Sequence, residues 1–390
     1  NAVYLAGQKF SLRGASDNFS DSEIVEGIKF ARDRNCKTYV TLNGFLHDDD
    51  LDDLTKYIKI LEDCGVDAVI VSDVGVMTLV QENSKLPIHV STQSSCLNVF
   101  SAKFWKNLGA KRLILGREVS LDEARIIKNE VNIEVELFIH GSMCMSYSGN
   151  CTISNYTAGR DSNRGGCIQS CRFSYSIVSD KSEKSFDKEE TSESIFSSKD
   201  LRGLELLPDF FKAGVDSIKI EGRMKSSLYV ATTSSVYSRA IKMLKKTSPV
   251  EMKKQLKVLS LILEQMPNRG YTSGFLNQIP DVNSTYLGKR NSSNSRYQFA
   301  GTVMEVDSNK SCTILLNKSI DNDSILEILN FDGTISRIHT KGMKTISNQL
   351  VSKTNPNCLI RLSLSSQNMN LNEFSSNSGI QRLNVARIKT

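Results

Sequence analysis

The sequence predicts an α/β protein: a TIM-like (β/α)8 barrel lacking its first β/α unit, with a cysteine-rich insertion, followed by a small C-terminal all-β barrel domain. Three observations predict it. Short runs rich in Val, Ile and Leu alternate with amphipathic helical stretches through the first half of the chain. Four of the nine cysteines crowd into the 28 residues from Cys144 to Cys171, a stretch too rich in Gly, Ser and Asn to build a core. From about residue 284 the helical period gives way to alternation among dense Asn, Ser and Gly.

The strands are read at Ala2 to Ala6, Thr38 to Leu42, Ala68 to Val71, Ile88 to Ser91, Arg112 to Leu115, Glu134 to Ile139 and Ser217 to Ile220. Between them, Ser22 to Arg34, Asp50 to Cys64, Val99 to Leu108 and Leu121 to Glu130 carry apolar residues at helical spacing. Near-continuous apolar strands separated by helices belong to a parallel sheet covered on both faces, where alternation is lost because neither face meets water. Seven strands are one short of a closed barrel, and the chain opens at Asn1 directly into a strand, so a missing first unit is expected. An open doubly wound sheet is the rival, but no Gly-x-Gly-x-x-Gly turn marks a dinucleotide site.

The barrel domain is expected over 1–248, with the insertion at 141–200, a helical linker at 249–283 and a basic β-barrel domain at 284–390. Within the insertion, Phe173 to Val178 and Ser194 to Ser197 read as a hairpin with a charged tip. A long helix from Ser227 to about Lys246 ends at Pro249, and a second follows it. Residues 282–390 carry 13 Lys and Arg against 7 Asp and Glu, a net of +6 that equals the net charge of the whole chain. A basic β domain suits contact with a phosphate backbone. No signal-peptide pattern and no stretch near the ~20 apolar residues of a membrane span are present, so a cytoplasmic protein is expected.

In a reducing compartment clustered thiols hold a metal more often than they form disulfides. The gaps between Cys144, Cys151, Cys167 and Cys171 are six, fifteen and three residues, and only the last makes the close pair usual in zinc sites. An iron–sulfur cluster accepts ligands from more widely spread loops. Spacing by itself leaves iron–sulfur, zinc and redox-active thiols open. Barrel enzymes work at the C-terminal ends of their strands, and those ends here carry Asn43, Ser72 and Asp73, Thr92 and Gln93, Gly116 to Glu118, His140 to Ser142, and Glu221-Gly222-Arg223. The cysteine segment follows the strand ending at Ile139, so it is expected over the same mouth.

Glu136-Leu-Phe-Ile-His-Gly-Ser142-Met-Cys144 with Gly149-Asn-Cys151-Thr-Ile-Ser154 resembles the signature of the bacterial collagenase-like peptidases, a peptidase family of unassigned catalytic type. The resemblance continues through Asn163-Arg-Gly-Gly-Cys167-Ile-Gln-Ser-Cys171-Arg172, Ser197-Ser-Lys199-Asp200-Leu201, Ala213 to Ser226 and Asn268 to Phe275, and so spans most of the barrel. It implies oxygen-independent hydroxylation of the wobble uridine of transfer RNA to 5-hydroxyuridine, with prephenate as hydroxyl donor and a cluster, of the 4Fe-4S kind, on Cys144, Cys151, Cys167 and Cys171. Hydroxylation of another RNA or of a quinone precursor, and collagenase-like proteolysis, are the alternatives it carries.

Oxidising C5 of a pyrimidine is redox chemistry, which needs a cofactor. Arg160, Arg164 and Arg172 interleave with the cysteines and are candidates to grip a dicarboxylate such as prephenate by forked hydrogen bonds. Glu221, Arg223 and Lys225 at the last strand end, with His140, are the catalytic candidates, and Gln93 is a candidate for a base edge. Glu136 lies inside a strand, where a buried ion pair competes with catalysis, and loop capping competes for Asn43 and Asn98. For proteolysis the sequence offers little: none of His47, His89, His140 and His339 stands in a His-Glu-x-x-His site, and His140 with Ser142 is a close pair of base and hydroxyl without a recognisable nucleophile elbow.

Overall fold

The computed structural model describes residues 1–390 except 13, 15–17, 176–193, 245, 285–294, 308–310 and 365–378. They divide into two units, Asn1–Arg223 with Arg269–Ser292, and Met224–Asn268 with Ser293–Thr390. The expected hairpin at 173–197 lies largely outside the described residues.

In the first unit strands and helices alternate as β1 (Ala2–Leu5), α1 (Asp21–Arg32), β2 (Lys37–Leu42), α2 (Asp48–Asp63), β3 (Ala68–Val71), α3 (Val74–Asn83) and β4 (Ile88–Val90). They continue with α4 (Val99–Asn107), β5 (Arg112–Ile114), α5 (Leu121–Val131) and β6 (Glu134–Ser142). After the cysteine segment, which contains α6 (Ile153–Ala158), come β7 (Asp200–Arg202), α7 (Leu207–Lys212) and β8 (Ser217–Glu221). Helix starts follow local chemistry. Ser20 with Glu23 and Ser120 with Glu123 form capping boxes on α1 and α5, and Asp73 and Asn98 cap α3 and α4 through Val76 and Ser101. Asn98 thus has the capping fate.

All seven expected strands are present. Strands β1 to β6 pair in sequence, each parallel to the last, and β8 pairs parallel to β6. Their inner residues Val40, Leu42, Val69, Val71, Val90, Leu113 and Val135 are wholly buried, which is why these runs read as continuous apolar stretches. The short β7 runs antiparallel to the end of β6, and β9 (Tyr271–Thr272) joins β7. Among the described residues β1 and β8, the ends of the parallel run, do not pair, so backbone bonds do not close a ring. Side chains bridge those ends instead: Tyr4 Oη donates to Glu221 Oε2 at 3.0 Å, and Lys219 Nζ lies 4.3 Å from the Tyr4 ring.

Beneath the strand ends lies a buried charged layer. Glu136 accepts from Lys219 Nζ at 2.9 Å and from Arg112 Nη1 at 3.0 Å. Burial alone would raise its carboxyl, but Lys219 and then Arg112 outweigh it and hold the group down at about 2. Glu136 is therefore a structural ion pair.

The second unit holds α8 (Ser227–Leu244) and α9 (Pro249–Glu264) with β10 (Tyr297–Asp307), β11 (Ser311–Leu316), β12 (Ile325–Leu329), β13 (Ile335–His339), β14 (Lys344–Thr345), β15 (Leu359–Ser363) and β16 (Val385–Lys389). The seven strands form one antiparallel sheet in the order β13-β12-β16-β10-β11-β15-β14, around a core that includes Val303, Ile314, Leu326, Ile338 and Ile360. Residues 224–248, expected with the barrel, and the linker as far as 268 group with this sheet, because Leu228, Tyr229 and Met266 pack against Tyr297 and Val385. No helix among the described residues is long and apolar enough to cross a membrane.

Candidate active site

The cysteine segment is held by polar stitching rather than by a core. Asn163 clasps Cys151 from both sides, its Oδ1 accepting from Cys151 N at 3.2 Å and its Nδ2 donating to Cys151 O at 3.0 Å. The Ser170 hydroxyl meets those of Ser154 at 3.2 Å and Thr157 at 2.7 Å. Glu118, at the end of β5, accepts from Ser148 N at 2.7 Å and fixes the turn between Cys144 and Cys151, where Ser148 stands at φ +51°.

Cys144, Cys151 and Cys167 lie within electrostatic reach of Cys171. Burial pushes the Cys171 thiol up, Arg172 opposes this, and thiolates at Cys144, Cys167 and Cys151 each push it up further. Four mutually interacting thiols suit a soft metal centre, whose charge would stabilise the thiolates that otherwise repel one another. Among the described residues no three His, Cys, Asp or Glu side chains are arranged around a single ion.

Glu221 ends β8, half-enclosed. Besides Tyr4, its carboxylate faces Arg117 Nη2 at 3.8 Å and accepts from Arg223 N at 3.2 Å. The guanidinium of Arg117 also lies 3.8 Å from the Phe138 ring. Burial first, and then Glu221, raise the Tyr4 phenol well above its ordinary value, so Tyr4 stays a hydrogen-bond donor at neutral pH. Gly141 brings β6 this close: at φ +113°, a Cβ there would lie 2.3 Å from Glu221 O. The Arg223 side chain reaches the β1–α1 loop, donating to Ser11 Oγ at 2.9 Å and Asn18 Oδ1 at 2.6 Å.

The other sequence candidates divide. Gln93 stays at the mouth, its Oε1 accepting from Asn43 Nδ2 at 3.2 Å and from the Ser91 hydroxyl, beside Gly149 of the cysteine segment. Arg172 lies against Cys171 but spends its guanidinium on Met143 O, Ser197 Oγ at 3.1 Å and Ser198 O at 3.2 Å, which makes it a clamp on the segment. Arg164 donates to Phe45 O at 2.6 Å and Asp50 at 2.9 Å, tying the segment to the β2–α2 loop. Arg160 is exposed. His140 is buried inside β6 with its ring 5.5 Å from that of Tyr271. Lys225 falls in the second unit, its Nζ 4.8 Å from the Tyr229 ring.

Two residues at the mouth were not singled out by sequence as parts of the site. Tyr4 reads as one aromatic of an apolar strand, and Arg117 as one polar residue of a strand end; only pairing across the ends of the parallel run shows that both address Glu221.

The fold is a parallel α/β scaffold with a cysteine-rich segment inserted after β6 and a part-buried carboxylate network at the end of β8. The chain belongs to peptidase family U32, whose model matches residues 1–286. It is 38% identical over 347 residues to tRNA hydroxylation protein P1 of Bacillus subtilis, covering 87% of this chain and 82% of that one. An uncharacterized protease of Methanocaldococcus jannaschii is 34% identical over 291 residues, covering 73% and 70%. A 23S rRNA 5-hydroxycytidine synthase of Escherichia coli is 38% identical over 242 residues, covering 62% of this chain and 36% of that protein.

Proposed function

We propose that this protein hydroxylates C5 of the wobble uridine of transfer RNA, without molecular oxygen and with prephenate as hydroxyl donor, in an incompletely closed (β/α)8 barrel. The observation that carries the reading is that Cys144, Cys151 and Cys167 lie within electrostatic reach of Cys171 in a chain whose relatives are named for RNA hydroxylation. Cys144, Cys151, Cys167 and Cys171 would hold an iron–sulfur cluster, which supplies electron transfer that side chains cannot.

The chain's own residues do the rest. Glu221, held by Tyr4 and Arg117, takes the C5 proton of the base. The uridine exchanges that hydrogen for the donor's hydroxyl, so the donor is the two-electron oxidant. Gln93 and Asn43 form a hydrogen-bonding edge for the base at the same mouth.

Anaerobically purified protein is expected to be brown, with about four iron and four sulfide per chain, and to lose that colour on Cys171→Ser. With prephenate it forms 5-hydroxyuridine in transfer RNA lacking it. A colourless protein holding one zinc, or an unchanged nucleoside profile, discards the reading. Gelatin in the same preparation is the control substrate for the proteolysis that the family name carries.

A further inference from the structure

Next to the strand ends the first unit has a cavity of about 290 Å³. It opens between the β1–α1 loop, the start of α2 and the cysteine segment. Ser11 lines it while bonding Arg223, and Arg164 lines it from within the cysteine segment. Gly14 and Gly165 let the first and last of these meet: a Cβ on Gly14 would lie 3.2 Å from Gly165 Cα.

One wall is aromatic. Phe45 is 41% exposed, yet its backbone is fastened on both sides, N–H to Asn163 O at 2.9 Å and C=O from Arg164 Nη1 at 2.6 Å. Phe10 accepts from Gly44 N at 3.1 Å and is held at φ +63°, a conformation that costs a non-glycine residue energy and persists where its surroundings impose it. The backbone of both residues is thus fixed where they line the cavity.

The opposite wall is acidic. Asp50 holds Arg164 and Asp53 holds Lys9 at 3.0 Å, while Asp49 stands exposed at the rim. Lys56 also pairs with Asp53, at 3.4 Å, so three cations meet three carboxylates and Asp49 is the one with no ion pair among the described residues. The carboxylate of Asp49 accepts hydrogen bonds from a neutral ring bearing N–H groups. Drug-sized ligands take ~300–1,000 Å³, so the volume suits a single ring system.

We infer that this cavity holds an unpaired nucleobase bearing an exocyclic amine, from the same RNA but distinct from the base modified, stacked on Phe45 with its amine toward Asp49. The inference rests on the RNA hydroxylation reading and adds a second, specificity-giving contact to it. Arg164 braces this cavity through Phe45 O and Asp50.

The test uses the full chain and a synthetic anticodon stem-loop RNA, with each loop base replaced in turn by an abasic nucleotide, measured by fluorescence anisotropy. Phe45→Ala is expected to weaken binding about tenfold and Phe45→Trp to restore it. One abasic position, away from the modified base, should weaken wild type by the same factor and leave Phe45→Ala no weaker than before. Equal binding by wild type and Phe45→Ala, or a loss that no abasic position removes, overturns the cavity while the hydroxylation reading stands. A wild-type chain that neither binds nor modifies the RNA overturns both.

Discussion

Glu221 owes its environment to groups far apart in sequence. Tyr4 lies 217 residues before it and Arg117 comes from the end of β5, so neither spacing nor local pattern relates them. Hydrogen bonds to a charged group are worth ~1.5–3 kcal/mol, and here the phenol holds Glu221 Oε2. Glu221→Gln is expected to lower kcat by ~10²–10⁴, the usual yield of a general base. Tyr4→Phe should lower it by about tenfold with KM for RNA unchanged, because the carboxylate persists but turns more freely; a raised KM with intact kcat would make Tyr4 a binding residue instead. Single-turnover rates of the two variants decide this. The density of Cys144, Cys151, Cys167 and Cys171 in a stretch that cannot form a core is visible in the sequence, whereas the carbonyl and hydroxyl partners of Arg172 beside them are visible only in the fold. An arginine looks the same in sequence whether it faces a substrate or a backbone carbonyl.

At the scale of elements, β-strands rich in Val and Ile were readable because full burial leaves an unbroken apolar run. Other elements were not. The sequence did not single out α3, whose Val74, Val76, Met77, Leu79 and Val80 leave it little polar face, and β7 and β9, three and two residues long, are too short to show a period. The interior of the parallel run also carries a titratable group with a measurable consequence. His89 on β4 is 5% exposed, its ring 4.6 Å from that of Tyr39, and its Nδ1 has no hydrogen-bond partner among the described residues. Burial first, and then Arg112, lower it from 6.5 to about 4, so the folded chain keeps His89 neutral where the unfolded chain takes a proton. Its contribution is present in full above pH 6.5 and fades as pH falls toward 4. That gap is worth roughly 3 kcal/mol. Urea unfolding of wild type and His89→Phe between pH 7 and 4 should show wild type losing about that much relative to the variant, and a pH-independent difference would refute it.

For the whole molecule, charge is divided between sequence regions: residues 282–390 hold an excess of +6 while the remainder is neutral. Lys341 and Lys344 are exposed there, whereas Arg387 and Arg337 are spent on Glu327 at 2.6 Å and 3.1 Å. If the second unit tracks an RNA backbone, Lys341→Gln with Lys344→Gln should reduce the slope of log affinity against log salt by up to ~1 per lysine, equally for all RNA sequences. An unchanged slope assigns those lysines to the surface alone. The sequence by itself determined the succession of seven parallel strands, the switch to an antiparallel domain and the density of thiols, since burial on both faces, alternation and core-free composition are properties of neighbouring residues. Tertiary structure alone decided that α8 and the start of the expected linker serve the second unit, that the ends of the parallel run meet through Tyr4 and Glu221 rather than through backbone bonds, and which arginines are clamps. Those outcomes depend on partners tens to hundreds of residues away, and a contact of that range leaves no periodic trace in the chain.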